Sequence, residues 1–387
     1  METIHERLKI NHLSKEYRIF TYIIVYILLD FSYFITILVF IMAQKIHTMF
    51  VDLDMKLIAE LSKADRFDAT WASTATRESD SLSQLRAITR IRDIASSARM
   101  DGAAMTDDET NVWVQKWDGG QPEERDKQMM AGCLEAYDRI AQTAGDIPVT
   151  EKHISDLHQL IMQYCGENGG QPGKYKQNDN SVESALPDWN RQLSFRTAAP
   201  GRQTENGMNG LLAWYASDRD TLPLLKIAVF IYDYLCIHPF QEGNGRMSRL
   251  LVNWLLLKQG FTWISYESFG QELEYRKDEY MRLLIQTQHN RPGEDVTEWV
   301  RFFLDCLVKV QDRLLRKVES LRKEAVLSDR EKRIRFHIEH HPGCTSGSIA
   351  RKLDIPLPTV KKTLRDLVQK EKVTRQGSAR ATGYLIV

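Results

Sequence analysis

Apolar residues recur at helical spacing over most of this chain. Leu85, Ile88, Ile91 and Ile94 step at three-residue intervals through 82–100, which predicts an amphipathic helix. The same period runs through 107–114, 123–145, 150–164, 204–217, 222–237, 247–259, 275–289 and 296–322. Thr150 followed by Glu151 supplies a cap for one of these. The stretch 49–73 carries the pattern too, with a break near Asp65. Two stretches lack it. Gly166-Glu-Asn-Gly-Gly-Gln-Pro-Gly173 is a cluster of helix breakers, and 175–197 holds short extended runs such as Leu193-Ser-Phe195-Arg-Thr197. The expected fold class is mainly α with a small β-hairpin.

The pattern changes at both ends. In 329–387 a first helix carries Ile334, Phe336 and Ile338, a second covers 346–353 and a third 358–368. Two strands joined by a glycine turn complete the arrangement of a winged helix-turn-helix. Its third helix presents Thr359, Lys361, Lys362 and Arg365, and the segment holds thirteen Lys/Arg against six Asp/Glu. DNA is therefore one candidate partner, and a docking or dimerisation role is the other reading. At the opposite end, 20–43 is a 24-residue apolar run whose only charge is Asp30, long enough to span a bilayer. The rival reading is upstream sequence translated from a wrongly chosen start.

Length fits two or three domains: a tail at 1–19, the apolar run at 20–43, a helical region at 49–150, a core at 151–295, a linking helix at 296–328 and the winged helix at 329–387. Net charge is zero, so composition alone points to no polyanionic partner. Cys133, Cys165, Cys236, Cys306 and Cys344 lack metal-ligand spacing and read as core thiols in a reducing compartment. His337, His340 and His341 read as helix surface.

The chemistry concentrates in His238-Pro-Phe240-Gln-Glu242-Gly243-Asn244-Gly245-Arg246-Met-Ser-Arg249, between two apolar helical runs. Gly243 and Gly245 let backbone N–H groups converge at a helix N-terminus, which makes an anion site. Arg246 and Arg249, three apart, fit phosphate oxygens as guanidinium forks. Glu242 beside a phosphate site reads as a Mg²⁺ ligand. His238 is a candidate general base, or else a residue that caps its helix. Phe240 packs into the core, and Asn244 either lines the site or stabilises the turn. The loop has no Walker motif.

This run resembles the His-x-Phe-x-Asp/Glu-Gly-Asn-Gly-Arg-x-x-Arg signature of the Fic (Fido) family at every fixed position, and the resemblance extends over about 92–305. It implies a helical Fic core that transfers AMP from ATP, with Mg²⁺, to a Ser, Thr or Tyr hydroxyl of a target protein. His238 would activate that hydroxyl and Glu242 would hold Mg²⁺. Gly243, Asn244 and Gly245 would hold the α- and β-phosphate region, Arg246 the β-phosphate and Arg249 the γ-phosphate. Gly173-Lys-Tyr175-Lys176 resembles the family's Gly-x-Tyr-Arg element with lysine for arginine. The region 182–197 resembles the flap that docks the target by strand addition. Asp278-Glu-Tyr280 resembles an element near the nucleotide base, with a packed tyrosine as the alternative. Ser97, Asp101 and Gly102 align with the family's autoinhibitory Ser/Thr-x-x-x-Glu-Gly/Asn motif. Asp101 replaces glutamate there, and one methylene fewer predicts a poorer reach to Arg249.

The resemblance leads to an autoinhibited protein adenylyltransferase. Its catalytic part would be cytoplasmic, tethered through 20–43 if that run is a membrane helix. A second copy of the chain is a further candidate partner. The alternatives are removal of AMP from modified proteins and a nucleotide-sensing DNA-binding regulator.

Overall fold

The computed structural model describes residues 43–77, 79–166, 171–184, 193–289, 291–325, 327–370, 372–377 and 382–387. The candidate membrane run lies outside them except for Ala43, which opens a strand. Among the described residues no helix is long and apolar enough to cross a membrane. The chain divides into two compact units, Met1–Gln311 and Asp312–Val387. The division falls inside the linking helix expected at 296–328.

The first unit opens with an antiparallel hairpin, β1 (Ala43–Ile46) and β2 (Met49–Asp52). This corrects the helix expected from residue 49: Met49 and Val51 are buried and Phe50 is exposed, the alternation of a strand. Phe50 also exchanges backbone bonds with 294–296, so the hairpin is tied to the body of the unit. Helix α1 (Met55–Arg77) then runs through Asp65 without a break. It is followed by α2 (Ser79–Met100), α3 (Asp107–Lys116), α4 (Arg125–Thr143) and α5 (Glu151–Met162). Thr106 and Thr150 cap α3 and α5 with their hydroxyls.

A second hairpin pairs β3 (Val182–Ser184) antiparallel with β4 (Leu193–Phe195) inside the region expected to form a flap. The unit continues with α6 (Arg202–Ser217), α7 (Pro223–Ile237), α8 (Asn244–Lys258), a 3₁₀ turn (Thr262–Tyr266), α9 (Phe269–Tyr275), α10 (Lys277–Gln288) and the start of α11 (Thr297–Ala325). The helix expected at 275–289 is α10, separated from α9 by Arg276. Its guanidinium binds Glu279 at 2.9 Å and Asp305 at 2.7 Å. Helix α7 is buried on every side, and α8 packs directly on it. A helix apolar all round belongs in the interior, and here it holds the catalytic-looking loop rigid from beneath.

The second unit contains α12 (Asp329–His340), β5 (Cys344–Thr345), α13 (Ser346–Leu353), α14 (Leu357–Gln369), β6 (Val373–Gln376) and β7 (Gly383–Ile386). Strand β5 extends the expected hairpin to a three-stranded sheet of order β5-β7-β6. Ile334 and Ile338 enter its core, whereas Phe336 is 63% exposed. His337 is buried, against the surface position expected for it, while His340 and His341 are exposed.

Candidate active site

Helix α7 ends because Pro239 follows. The residue before a proline is disfavoured in the right-handed helical region, and His238 takes the left-handed one, with φ 51°. Its N–H still closes the last turn on the Tyr234 carbonyl at 2.9 Å. The ring is fixed by Nδ1–H, which donates to the Leu235 carbonyl at 3.2 Å. A carbonyl only accepts, so the proton sits on Nδ1 and Nε2 keeps a free lone pair. Burial holds the imidazole down at about 4, with the nearby Lys176 cation pushing the same way. His238 is therefore a neutral proton acceptor at physiological pH.

Phe240 is fully buried and pins the loop. Its ring lies flat on His158, with centroids 3.7 Å apart, and tilts against Tyr175 at 5.8 Å. His158 was missed in the sequence, where it passes for one more residue of the buried stripe of α5 with Ile154, Leu157 and Ile161. It bridges two loops. Nε2–H donates to the Glu242 carbonyl at 2.9 Å, and Nδ1 accepts from the Gly173 N–H at 2.9 Å. Burial holds this ring neutral as well, at about 4.

Lys176 stands where the resemblance has arginine. Its ammonium donates to Asn180 Oδ1 (2.8 Å), Thr197 Oγ1 (2.9 Å) and the Ile237 carbonyl (3.2 Å). It thereby ties the segments flanking the hairpin to the end of α7. The base of the hairpin also meets the loop directly, since Phe195 stands edge-on to His238 at 6.2 Å.

Helix α8 begins at Asn244, three residues earlier than expected. Asn244 is buried and its amide turns backward: Oδ1 accepts from the Phe240 N–H at 3.0 Å and Nδ2 donates to the Phe240 carbonyl at 2.7 Å. Of the two readings of this residue, the turn stabiliser describes its side chain. Gly243 precedes it at φ 76°, and a Cβ there would lie 2.8 Å from Met162 Sδ. Glycine is required on both counts. No side chain caps α8, so its first-turn N–H groups have no acceptor within the helix. Glu242 is exposed at the edge of this opening.

Arg246 and Arg249, one turn into α8, are each only 5% exposed. They converge on one carboxylate. Asp101 Oδ2 accepts from Arg246 Nε at 3.2 Å and Oδ1 from Arg249 Nη2 at 2.7 Å. Arg249 also donates to Ser97 Oγ and to the Ser97 carbonyl, both at 2.8 Å. The expectation that aspartate reaches Arg249 poorly is corrected, because its backbone comes close enough to offset the lost methylene. Gly102, at φ 96°, ends α2, and the Ala103 N–H bonds the Ala98 carbonyl. That ending leaves Asp101 at a helix C-terminus, where the helix dipole disfavours an anion. The two guanidiniums offset this. Farther along, α2 is anchored to α9: Arg99 forks onto Glu274 at 2.6 and 2.8 Å, and Asp93 Oδ1 accepts from the Gly270 N–H.

Tyr280 is buried among Trp299 and Phe302, at 5.7 and 6.3 Å between centroids. Burial pushes its hydroxyl up to about 12. It packs among aromatic core residues and also lines a small cavity beside Ser248 and Arg249. The five cysteines are free, and Cys133, Cys236 and Cys306 are buried, as core thiols should be.

An uncapped helix N-terminus, two guanidiniums and a glycine that a larger residue could not replace fit a polyphosphate. Among the described residues no three His, Cys, Asp or Glu side chains cluster as a complete metal site. Glu242 alone fits Mg²⁺ in the manner usual for nucleotide sites, where phosphate oxygens and water supply the other ligands.

Residues 148–256 match the Fic/DOC family. The Protein adenylyltransferase Fic of Aedes aegypti is 26% identical over 166 residues, covering 42% of this chain and 29% of that protein. Its counterpart from Drosophila erecta is 28% identical over 168 residues, again 29% of its length. The match thus spans less than a third of these relatives. Among solved structures, a Fic family protein from Desulfovibrio desulfuricans superposes with TM-score 0.58 at 19% identity, covering 89% of this chain and 98% of that one. A Fic domain containing signaling protein from Bacteroides thetaiotaomicron gives 0.56 at 22% identity, covering 67% and 97%. These two likenesses show the fold.

Proposed function

We propose that this chain, whose residues 148–256 match the Fic/DOC family, is a nucleotidyltransferase that moves AMP from ATP onto a hydroxyl of a target protein. We further propose that α2 holds it in check. Family membership supports the enzyme class. The observation that carries the specific reading is that His238, its Nδ1 held by the Leu235 carbonyl, lies on the short loop that leads into the uncapped N-terminus of α8.

In this reading Nε2 takes the proton of a Ser, Thr or Tyr hydroxyl and the oxygen attacks the α-phosphorus. The bond to the β-phosphate breaks and pyrophosphate leaves. The N–H groups of Gly243, Asn244 and Gly245 hold the α- and β-phosphates, and Arg246 and Arg249 take the outer ones. Such a transfer needs little beyond positioning and charge neutralisation. Glu242 would hold Mg²⁺, which when bound neutralises phosphate charge. The β3–β4 hairpin would align the target backbone as an added strand. Asp101 competes with the γ-phosphate for Arg249, and this is the inhibition.

The test uses labelled ATP and Mg²⁺ with the parent, His238→Ala and Asp101→Gly forms. Weak labelling of protein by the parent, stronger labelling by Asp101→Gly and none with His238→Ala is the expected pattern. Loss of a general base typically costs about 10²–10⁴-fold. Label that persists without His238 would refute the assignment. Release of AMP from a modified protein, with no labelling by any form, would favour the reverse reaction.

A further inference from the structure

The second unit has a core of its own, in which α12 contributes Ile334 and Ile338, α13 Ile349 and α14 Val360, Leu364 and Leu367. Helices α13 and α14 are joined by Asp354, Ile355 and Pro356 alone. Asp354 takes the left-handed conformation at φ 53°, and the Ile355 N–H returns to the Ala350 carbonyl at 3.1 Å. This is a helix-turn-helix, and the β6–β7 hairpin follows its second helix directly.

The way α14 divides its faces is informative. Val360, Thr363, Leu364 and Leu367 are buried, while Lys361, Lys362 and Arg365 are exposed. None of these three cations pairs with a described acidic side chain. Glu331, by contrast, is used internally: it caps α12 through Ser328 and binds Lys370 at 2.7 Å. Arg351 and Lys352 on α13, and Arg375 on β6, are exposed too. Like charges one turn apart repel, so this grouping lowers helix stability slightly. An ordinary solvated face mixes signs instead. The grouping makes sense against a polyanion.

We propose that this unit binds duplex DNA, as a winged helix does, with α14 in the major groove and Lys361, Lys362 and Arg365 on phosphates. A membrane surface is the poorer match, because an interfacial helix turns its apolar face outward and the apolar face of α14 is spent on the core. Duplex RNA is a poorer match as well, since its major groove is too narrow for a helix.

The experiment is fluorescence anisotropy of the full chain with a labelled mixed-sequence duplex across a salt series. Duplex RNA and anionic phospholipid vesicles are run in parallel. The parent should bind the DNA duplex with strongly salt-dependent affinity. The triple variant Lys361→Ala/Lys362→Ala/Arg365→Ala should bind at least tenfold more weakly, with its log–log salt slope flatter by roughly 3. Its melting temperature should stay at the parent value, since the three side chains face solvent. Lys361→Arg/Lys362→Arg should bind like the parent, and Arg330→Ala/Lys332→Ala on α12 should leave binding intact. No binding of the parent to DNA at low salt would overturn the proposal. So would equal binding by the triple variant, an equal loss in the α12 variant, or stronger binding to RNA or vesicles than to DNA.

Discussion

Two sets of cations in this molecule are built in opposite ways. Arg246 and Arg249 on α8 are 95% buried, and each guanidinium is matched to a named acceptor at hydrogen-bond distance. Lys361, Lys362 and Arg365 on α14 stand in solvent without such partners among the described residues. The difference lies in what a charge costs. A buried cation without a partner is expensive, and Asp101 with Ser97 supplies the partners of Arg246 and Arg249. An exposed cation is satisfied by water and waits at little cost. The proposed regulation by displacement therefore rests on the first unit, and the proposed salt-dependent binding on the second.

The sharpest way to break this comparison is a cycle at the buried pair. Asp101→Gly should tighten ATP binding, measured by calorimetry, about ten- to a hundredfold, the worth of a charge-assisted contact. In an Arg249→Ala background the same change should gain less, because only Arg246 is then released. Equal gains in both backgrounds would mean that the two residues do not compete for the nucleotide.

Stability sharpens the contrast next. Arg249→Ala removes the donor to Ser97 and Asp101 and should cost about 2–3 kcal/mol in urea unfolding. Asp101 is 26% exposed, which places the loss below that of a fully buried pair. Lys361→Ala should stay within about 0.5 kcal/mol. Equal losses would dissolve the distinction.

Gly243→Ala comes after these. It forces a side chain into a left-handed position and against Met162 Sδ at 2.8 Å, and should cost about 1–2 kcal/mol. Its effect on ATP affinity should exceed that of Gly102→Ala, where a Cβ would meet nothing within 4 Å. A larger affinity loss at Gly102 would place the nucleotide elsewhere.

The mildest expectation concerns pH. His238 is held down at about 4 from an ordinary 6.5, so the base form persists until pH falls through about 4. The acid limb of the transfer rate should lie there rather than near 6.5. His158 is depressed in the same way, which means that the unfolded chain binds protons first. Stability should thus be full above pH 6.5 and decline as pH falls toward 4, with His158→Gln flattening that decline in a melting series. An acid limb at 6.5 would mean that His238 is solvated in the working enzyme.

Some of this was legible in the residues because it depends only on local order. Helical periodicity located most helices of the first unit, and Pro239 marked where α7 stops, although α8 starts three residues before the expected 247. The motif placed His238, Glu242, Arg246 and Arg249 around one loop. The β-hairpin at 43–52 escaped because its four-residue strands carry too few turns of any period to separate from a helix start. His158 escaped because a histidine within an apolar stripe has no signature until the chain folds Phe240 onto it. Asn244 and Tyr280 each left two readings open, and only folding showed that the Asn244 amide turns back on Phe240 and that Tyr280 is buried beside Trp299.

What the order of residues determined, then, is which side chains are available and roughly where the chain turns. Only the tertiary structure decided that Asp101, 148 positions from Arg249, meets it at 2.7 Å, and that Lys361, Lys362 and Arg365 meet no described acid. The reason is physical. Spacing along a helix is set by local backbone geometry, whereas charge pairing across the fold is set by which helices pack together, and that follows from the burial of their apolar faces.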